Sequence, residues 1–236
     1  MIDISAYPYK IELHAHTCPV SGCSQIEPEA LVDTYERLGY DAVVLTNHLQ
    51  PHFIQMGEDE AVRFYLDDYH RACVHAKGKH LRVLLGMEIH FTENANDYLI
   101  FGMREEDVRT AWRYLDRGID AFYRDCQSPD KVIVQAHPFR SNMVLANPDS
   151  LDGIEAFNMH PNSNSRCAVA QRYASEHPGW ITTVGTDYHH PGHEGLTALR
   201  TKTCPEDSVG LAHILRSRDY LFDIAGAIVV PYAELW

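Results

Sequence analysis

The sequence predicts an α/β fold: a single barrel-like domain of buried, mostly parallel strands. Three observations lead there. Short apolar runs alternate with helical patterns along the whole chain. No linker, internal repeat or low-complexity segment interrupts them, so 1–236 reads as one domain. Polar residues able to bind metal end one run after another, and a parallel barrel gathers those strand ends at one mouth.

The first run, Tyr9-Lys10-Ile11-Glu12-Leu13, ends in His14-Ala15-His16-Thr17. Residues two apart on a strand share a face, so His14 and His16 can offer two imidazoles to one point. A helix opens at Ile26-Glu27-Pro28-Glu29, carries a stripe of Leu31, Val32, Tyr35 and Leu38, and stops at Gly39. The run 41–46 reads as a strand buried on both faces and ends at Asn47-His48. A long helix is expected over 58–77, stopped by Gly78. The run 82–88 is the next strand, ending at Glu88. A polar turn, Glu93-Asn94-Ala95-Asn96, then leads to Tyr98-Leu99-Ile100-Phe101, and so short a turn predicts a hairpin. Helices follow around 108–115 and 119–126. Further strands are expected at 131–136, ending at His137-Pro138, at 153–158, and at 180–185, ending at Thr186-Asp187-Tyr188-His189. A helix over 165–176 lies between the last two. A helix over 208–217 and a short strand at 220–222 close the pattern.

Composition narrows the function. Of the residues, 45% are hydrophobic and 22% charged, which suits an ordinary globular protein. The formal net charge of −13 argues against long nucleic acid or an anionic membrane as the partner. A small anionic substrate stays open, because bound metal ions reverse the local sign. Six cysteines are scattered without a Cys-x-x-Cys pair, and the N-terminus lacks the pattern of a signal peptide. A cytoplasmic protein with reduced thiols is expected. The outstanding number is 15 histidines. Strand after strand ends in a potential ligand: His14 and His16, His48, Glu88, His137, Asp187 and His189. Each alone has an ordinary reading as a turn residue or helix cap. Seven at one expected face point to a metal centre.

With these motifs in order, the chain resembles the polymerase and histidinol phosphatase (PHP) superfamily of metal-dependent phosphoesterases. The resemblance rests on Leu13-His14-Ala15-His16-Thr17, Thr46-Asn47-His48, Gly86-Met87-Glu88, Ala136-His137-Pro138, Gly153-Ile154-Glu155 with Asn158, and Gly185-Thr186-Asp187-Tyr188-His189. It implies a distorted (β/α)7 TIM-like barrel holding two or three divalent ions, zinc, manganese or iron. It assigns His14, His16, Glu88 and Asp187 to a first ion, makes Glu88 the bridge to a second that His137 also binds, and gives His48 and His189 to a third. Glu88 and Asp187 are then the catalytic carboxylates.

Two departures stand out. Asp97 occupies a place where the family often has a histidine, and an aspartate there favours manganese or iron. The loop Cys18-Pro19-Val20-Ser21-Gly22-Cys23 lacks the acid expected for the third ion, and Asn47 replaces an aspartate. A thiol of Cys18 or Cys23 as a soft ligand, or a weak third site, are the alternatives. The expected substrate is a small phosphomonoester or phosphodiester, with Arg140 as a phosphate clamp and Asn158 as an orienting group. The rival readings are a metal-dependent amidohydrolase and a metal-binding protein of the same fold without catalysis. Oligomeric state is not legible.

Overall fold

The computed structural model describes residues 2–232; the ends of the expected 1–236 domain lie outside them. Twelve strands and six α-helices alternate: β1 (Tyr9–Ala15), α1 (Pro28–Arg37), β2 (Ala42–Leu45), β3 (His48–Leu49), α2 (Glu58–His75), β4 (Arg82–Leu85), β5 (Met87–His90), β6 (Asp97–Phe101), α3 (Glu105–Trp112), α4 (Gly118–Cys126), β7 (Val132–Gln135), β8 (Gly153–Asn158), α5 (Cys167–Ser175), β9 (Ile181–Gly185), β10 (Thr197–Thr201), α6 (Ser208–Ser217), β11 (Leu221–Ile224) and β12 (Ala227–Val229).

The helices start and stop for local reasons. Pro28 sits in the first turn of α1 and Glu29 faces its positive end, while Leu31, Val32 and Tyr35 turn inward. Gly39, at φ 70°, releases the chain into β2. Glu58, Asp59 and Glu60 fill the first turn of α2, whose inner face buries Tyr65, Leu66 and, unusually for a helix, Asp68.

The strands form two six-stranded mixed sheets, ordered β12-β11-β10-β1-β2-β4 and β3-β5-β6-β7-β8-β9. No closed sheet exists among the described residues, so the hydrogen bonding does not describe the (β/α)7 barrel expected from sequence. The reason lies at β1. A closed barrel needs the free edge of β1 for β9, but β10 takes that edge antiparallel, pairing Ile11 with Leu199. β1 meets the strand-9 segment only at its end, where Ala15 bridges Tyr188. β10 and β12 escaped the sequence reading because they are short and partly polar.

The expected strand 82–88 is also divided. β4 joins one sheet and β5 the other, with Gly86 between them. The register nevertheless carries through: Leu45 pairs with Leu85, and His48 with Glu88. A side chain at Gly86 would press on Val44 and Thr46, so the bend needs glycine. The expected hairpin is present, with His90 opposite Asp97 and Glu88 opposite Leu99. Below the site, Ile11, Leu13, Val44, Leu99, Val134 and Val184 pack into one buried cluster. That rigid floor fixes where the strand ends point. No helix among the described residues is long and apolar enough to cross a membrane.

Candidate metal centre

Alternation along β1 puts Glu12, His14 and His16 on one face, and all three are fully buried. Glu12 is the deepest. Its Oε1 accepts the backbone N–H groups of His14 and Thr186, each at 3.0 Å, and its Oε2 accepts the hydroxyls of Thr186 at 2.5 Å and Tyr35 at 3.1 Å. One carboxylate therefore ties the backbone at His14 to the backbone just before Asp187. Burial nonetheless holds its pKa above the usual range, against these four bonds.

Above it the remaining side chains converge. Glu88 Oε2 lies 3.3 Å from His14 Nε2 and 3.2 Å from both His16 Nε2 and His48 Nδ1. Its other oxygen lies 3.0 Å from His137 Nε2. Asp187 Oδ1 is 3.5 Å from the Nε2 atoms of His14 and His16, and 3.3 Å from His189 Nδ1. The hairpin brings Asp97 to the same place, 3.9 Å from His137 and 2.9 Å from His90. The rings of His48 and His189 flank that of His16 at 4.4 and 4.2 Å.

His14 Nε2, His16 Nε2, His48 Nδ1 and Glu88 Oε2 are all buried, and none makes a hydrogen bond. Buried polar atoms without partners are costly, about 1–3 kcal/mol each, and four aimed at one another need a common partner. A cation satisfies all of them. The donor set of neutral imidazoles and carboxylates fits zinc, manganese or iron alike. Among the described residues, three groups have potential ligand atoms within 4.8 Å of one another: His14, His16 and Glu88; His16, His48 and His189; and His48, Glu88 and Asp97.

Electrostatics divide these ligands. Burial opposes protonation of His14, but the charges of Glu155, Asp187 and Glu88 outweigh it and raise its pKa well above the ordinary value. Burial likewise opposes protonation of His16, and nearby Asp187 and Glu88 raise its pKa. Around His48 and His189 burial wins, pushing them down to about 4 and about 3. For Glu88 and Asp187, burial alone would favour the neutral acid, yet the neighbouring histidines, His14 foremost, hold both well below the usual carboxylate range.

An outer ring of groups aims the ligands. Glu155 holds His14 Nδ1 at 2.8 Å through one oxygen and the backbone N–H of His137 at 3.0 Å through the other. His16 Nδ1 has the Ser21 hydroxyl at 3.2 Å, which also accepts the backbone N–H of His48. Ser21 donates to Asn47, and the Asn47 amide donates to Thr17 and to Asp68, reaching in from α2. Two candidate ligands sit in strained backbone, His137 at φ 31° and Asp187 at φ 56°, a conformation that costs about 1–3 kcal/mol outside glycine and gathers at functional sites. At Gly185 a side chain would collide with both Glu155 and His14, so glycine is what lets β9 close on β1.

The structure thus brings His14, His16, His48, Glu88, Asp97, His137, Asp187 and His189 together. Arg140 and Asn158 join them: Arg140 donates to Asn158 Oδ1 and to Asp187 Oδ2, both at 2.7 Å, and Asn158 donates to Glu155 and Asp187. A cavity of about 440 Å³ opens above, rimmed by Arg140, His90, His160 and His190. Arg166, just before α5, donates to the Phe139 carbonyl. Among the described residues, neither Cys18 nor Cys23 falls in a group that could hold a metal ion. Cys18 donates to Glu27, while desolvation and the charge of Glu88 push the Cys23 thiol up to about 11. Sequence reasoning passed over Glu12, Ser21, Glu155 and Asp68 as functional residues. Glu155 had a signal, since it lies in a strand that also ends in Asn158; Asp68 had none beyond an acid on the inner face of a helix.

A family model for the PHP domain matches residues 12–211. A two-domain protein from Bacteroides vulgatus, containing a predicted PHP-like metal-dependent phosphoesterase, shares the fold at a TM-score of 0.62 with 16% identity. The likeness covers 94% of this chain and 66% of that one, so the chain spans just under two thirds of its length. A Bifidobacterium adolescentis protein assigned provisionally as a metal-dependent phosphoesterase is similar at 0.45 and 15% identity, covering 87% of this chain and 95% of that one. An amidohydrolase from Chromobacterium violaceum, with bound sulfate and no metal, is similar at 0.48 and 14% identity, covering 78% and 89%. No curated protein gives a significant match. With the family model covering most of the chain and four motif histidines, His14, His16, His48 and His137, converging on Glu88, this protein belongs to the PHP domain family.

Proposed function

We propose that this chain is a cytoplasmic hydrolase that cleaves a small phosphomonoester or phosphodiester at a cluster of two or three divalent ions, zinc, manganese or iron. The observation that carries the reading is the convergence of four unpartnered, buried ligand atoms beneath a cavity rimmed by Arg140. His14, His16, Glu88 and Asp187 would hold the first ion, Glu88, Asp97 and His137 the second, and His48 with His189 a third. Such ions, when bound, make water acidic near neutral pH and offset charge growing on phosphoryl oxygens.

The chain's own contribution is to orient. Glu155 accepts the hydrogen bond of His14 Nδ1–H, which leaves Nε2 with its lone pair free for a ligand bond. Asn158 and Asp187 hold the Arg140 guanidinium at the rim, where its planar fork suits a phosphate. In the net reaction water adds to phosphorus, the P–O bond to the alcohol breaks, and the alcohol leaves with one proton of that water. Long nucleic acid fits poorly with a charge of −13.

Elemental analysis of the purified, reconstituted protein should find two or three ions per chain. The same sample should release phosphate or alcohol from members of a panel of small monoesters and diesters, and lose that activity with a chelator. Absence of metal-dependent release from the whole panel overturns the reading.

A further inference from the structure

We propose that the loop after β1 and the start of α2 form an apolar slot for the alcohol part of the substrate, so that the preferred ester carries an aromatic alcohol and not a sugar. The inference rests on the phosphoester reading above and extends it to substrate class. Beside the metal cavity lies a second cavity of about 410 Å³. The two share Cys23, His48 and Gln50 in their walls, so a molecule over the ligands can extend directly into the slot.

The far walls are Pro19, Val20, Met56, Phe64 and His52. None of the described residues lining this slot is an acid, a lysine or an arginine. The loop that supplies Pro19 and Val20 is the one where an acid was expected from sequence. Its replacement by apolar groups turns a would-be ligand loop into a hydrophobic wall. This wall is anchored: Val20 is buried in the core cluster that contains Phe53, and Met56 and Phe64 pack against that cluster. The fully buried Phe53 ring lies 5.8 Å from Phe64 and 4.6 Å from His52. A slot held by core packing is formed before the ligand arrives, which favours a rigid flat group.

Arg140, His160 and His190 line the metal cavity but not the slot. That asymmetry gives the substrate a direction, with phosphate toward the guanidinium and the alcohol toward Phe64. A sugar in the slot would leave several hydroxyls without partners, whereas an aromatic ring leaves none.

The test uses the metal-loaded protein with benzylphosphonate and ethylphosphonate as inert probes in calorimetry, and benzyl and ethyl phosphate as substrates with alcohols of similar acidity. Benzyl should be favoured over ethyl by at least about tenfold in affinity and in kcat/KM. Met56→Asp and Phe64→Ala should each bring that ratio toward one while metal content and circular dichroism stay at wild-type values; the loop position of Met56 guards against a folding defect at Phe64. Equal benzyl and ethyl affinities, or a preference that survives both variants, overturn the slot. Benzyl-selective binding without turnover of either ester would leave the slot standing and sink the phosphoesterase reading. Failure to bind either phosphonate sinks both.

Discussion

His14 and His16 stand two residues apart on one strand, their rings 5.0 Å apart, and both face Glu88 and Asp187. Behind them the two sides of the site differ. His14 is backed by the Glu155 carboxylate, His16 by the Ser21 hydroxyl. The His14 side is therefore anionic at its back and makes a more basic imidazole. The His16 side is neutral at its back, is flanked by His48 and His189, and keeps those two rings unprotonated by burial. A carboxylate behind a ligating histidine strengthens the ligand bond. The two ligands that this strand would give the first ion are thus backed unequally, one by a carboxylate and one by a hydroxyl.

Glu88 is the residue both sides share, so its loss gives the largest effect and sets the scale for the comparison. Glu88→Ala should empty both sides of metal and lower turnover by at least about 100-fold, read by elemental analysis and initial rates on the same sample. Glu155→Gln should act mainly on the His14 side, weakening the tightest ion by about 10–100-fold in a competition titration with a chromophoric chelator. Ser21→Ala should weaken the same ion through His16, and by a smaller factor. Equal losses in the two variants would mean that the two backings are equivalent and the asymmetry has no consequence.

The smallest effect lies in the pH dependence of the metal-free protein. His48 has a folded pKa of about 4, below the value of about 6.5 for an unfolded histidine. The folded state then binds fewer protons between those values, so the contribution of His48 is present above pH 6.5 and is lost as pH falls toward 4. His14 has the opposite sign: its folded pKa is raised, so its contribution is full below about 6.5 and fades as pH rises through the folded value. Urea unfolding from pH 4 to 9 should show His48→Asn flattening the acid side of the profile and His14→Asn the alkaline side. Both variants flattening the same side would break the division.

Outside the ligands the division continues in the support. Glu12 locks β1 to the backbone before Asp187 from beneath, its buried carboxylate accepting the N–H groups of His14 and Thr186 and the hydroxyls of Thr186 and Tyr35. Asp68 supports the other side from a helix. Its Oδ2 takes the Thr17 hydroxyl at 2.8 Å and the Asn47 amide at 3.3 Å, and Asn47 in turn receives the Ser21 hydroxyl. The carboxyl group missing at Asn47, just past β2, therefore stands one hydrogen bond further back, on Asp68.

Much of this was present in the sequence. The apolar runs located β1, β2, β7, β8 and β9, because buried strands leave a local signature. The strand-end histidines and carboxylates, with the order of the motifs, marked the residues that converge and the family to which the chain belongs. A short polar turn at 93–96 was enough to predict the hairpin that sets Asp97 opposite His90. Only the tertiary structure decided that β10 takes the free edge of β1 and keeps the sheets apart, that Gly86 divides one expected strand between them, and that Glu155, Ser21 and Asp68 stand behind the ligands. These are contacts between segments far apart in the chain. Local sequence sets which face a side chain takes, but packing alone sets which distant group it meets.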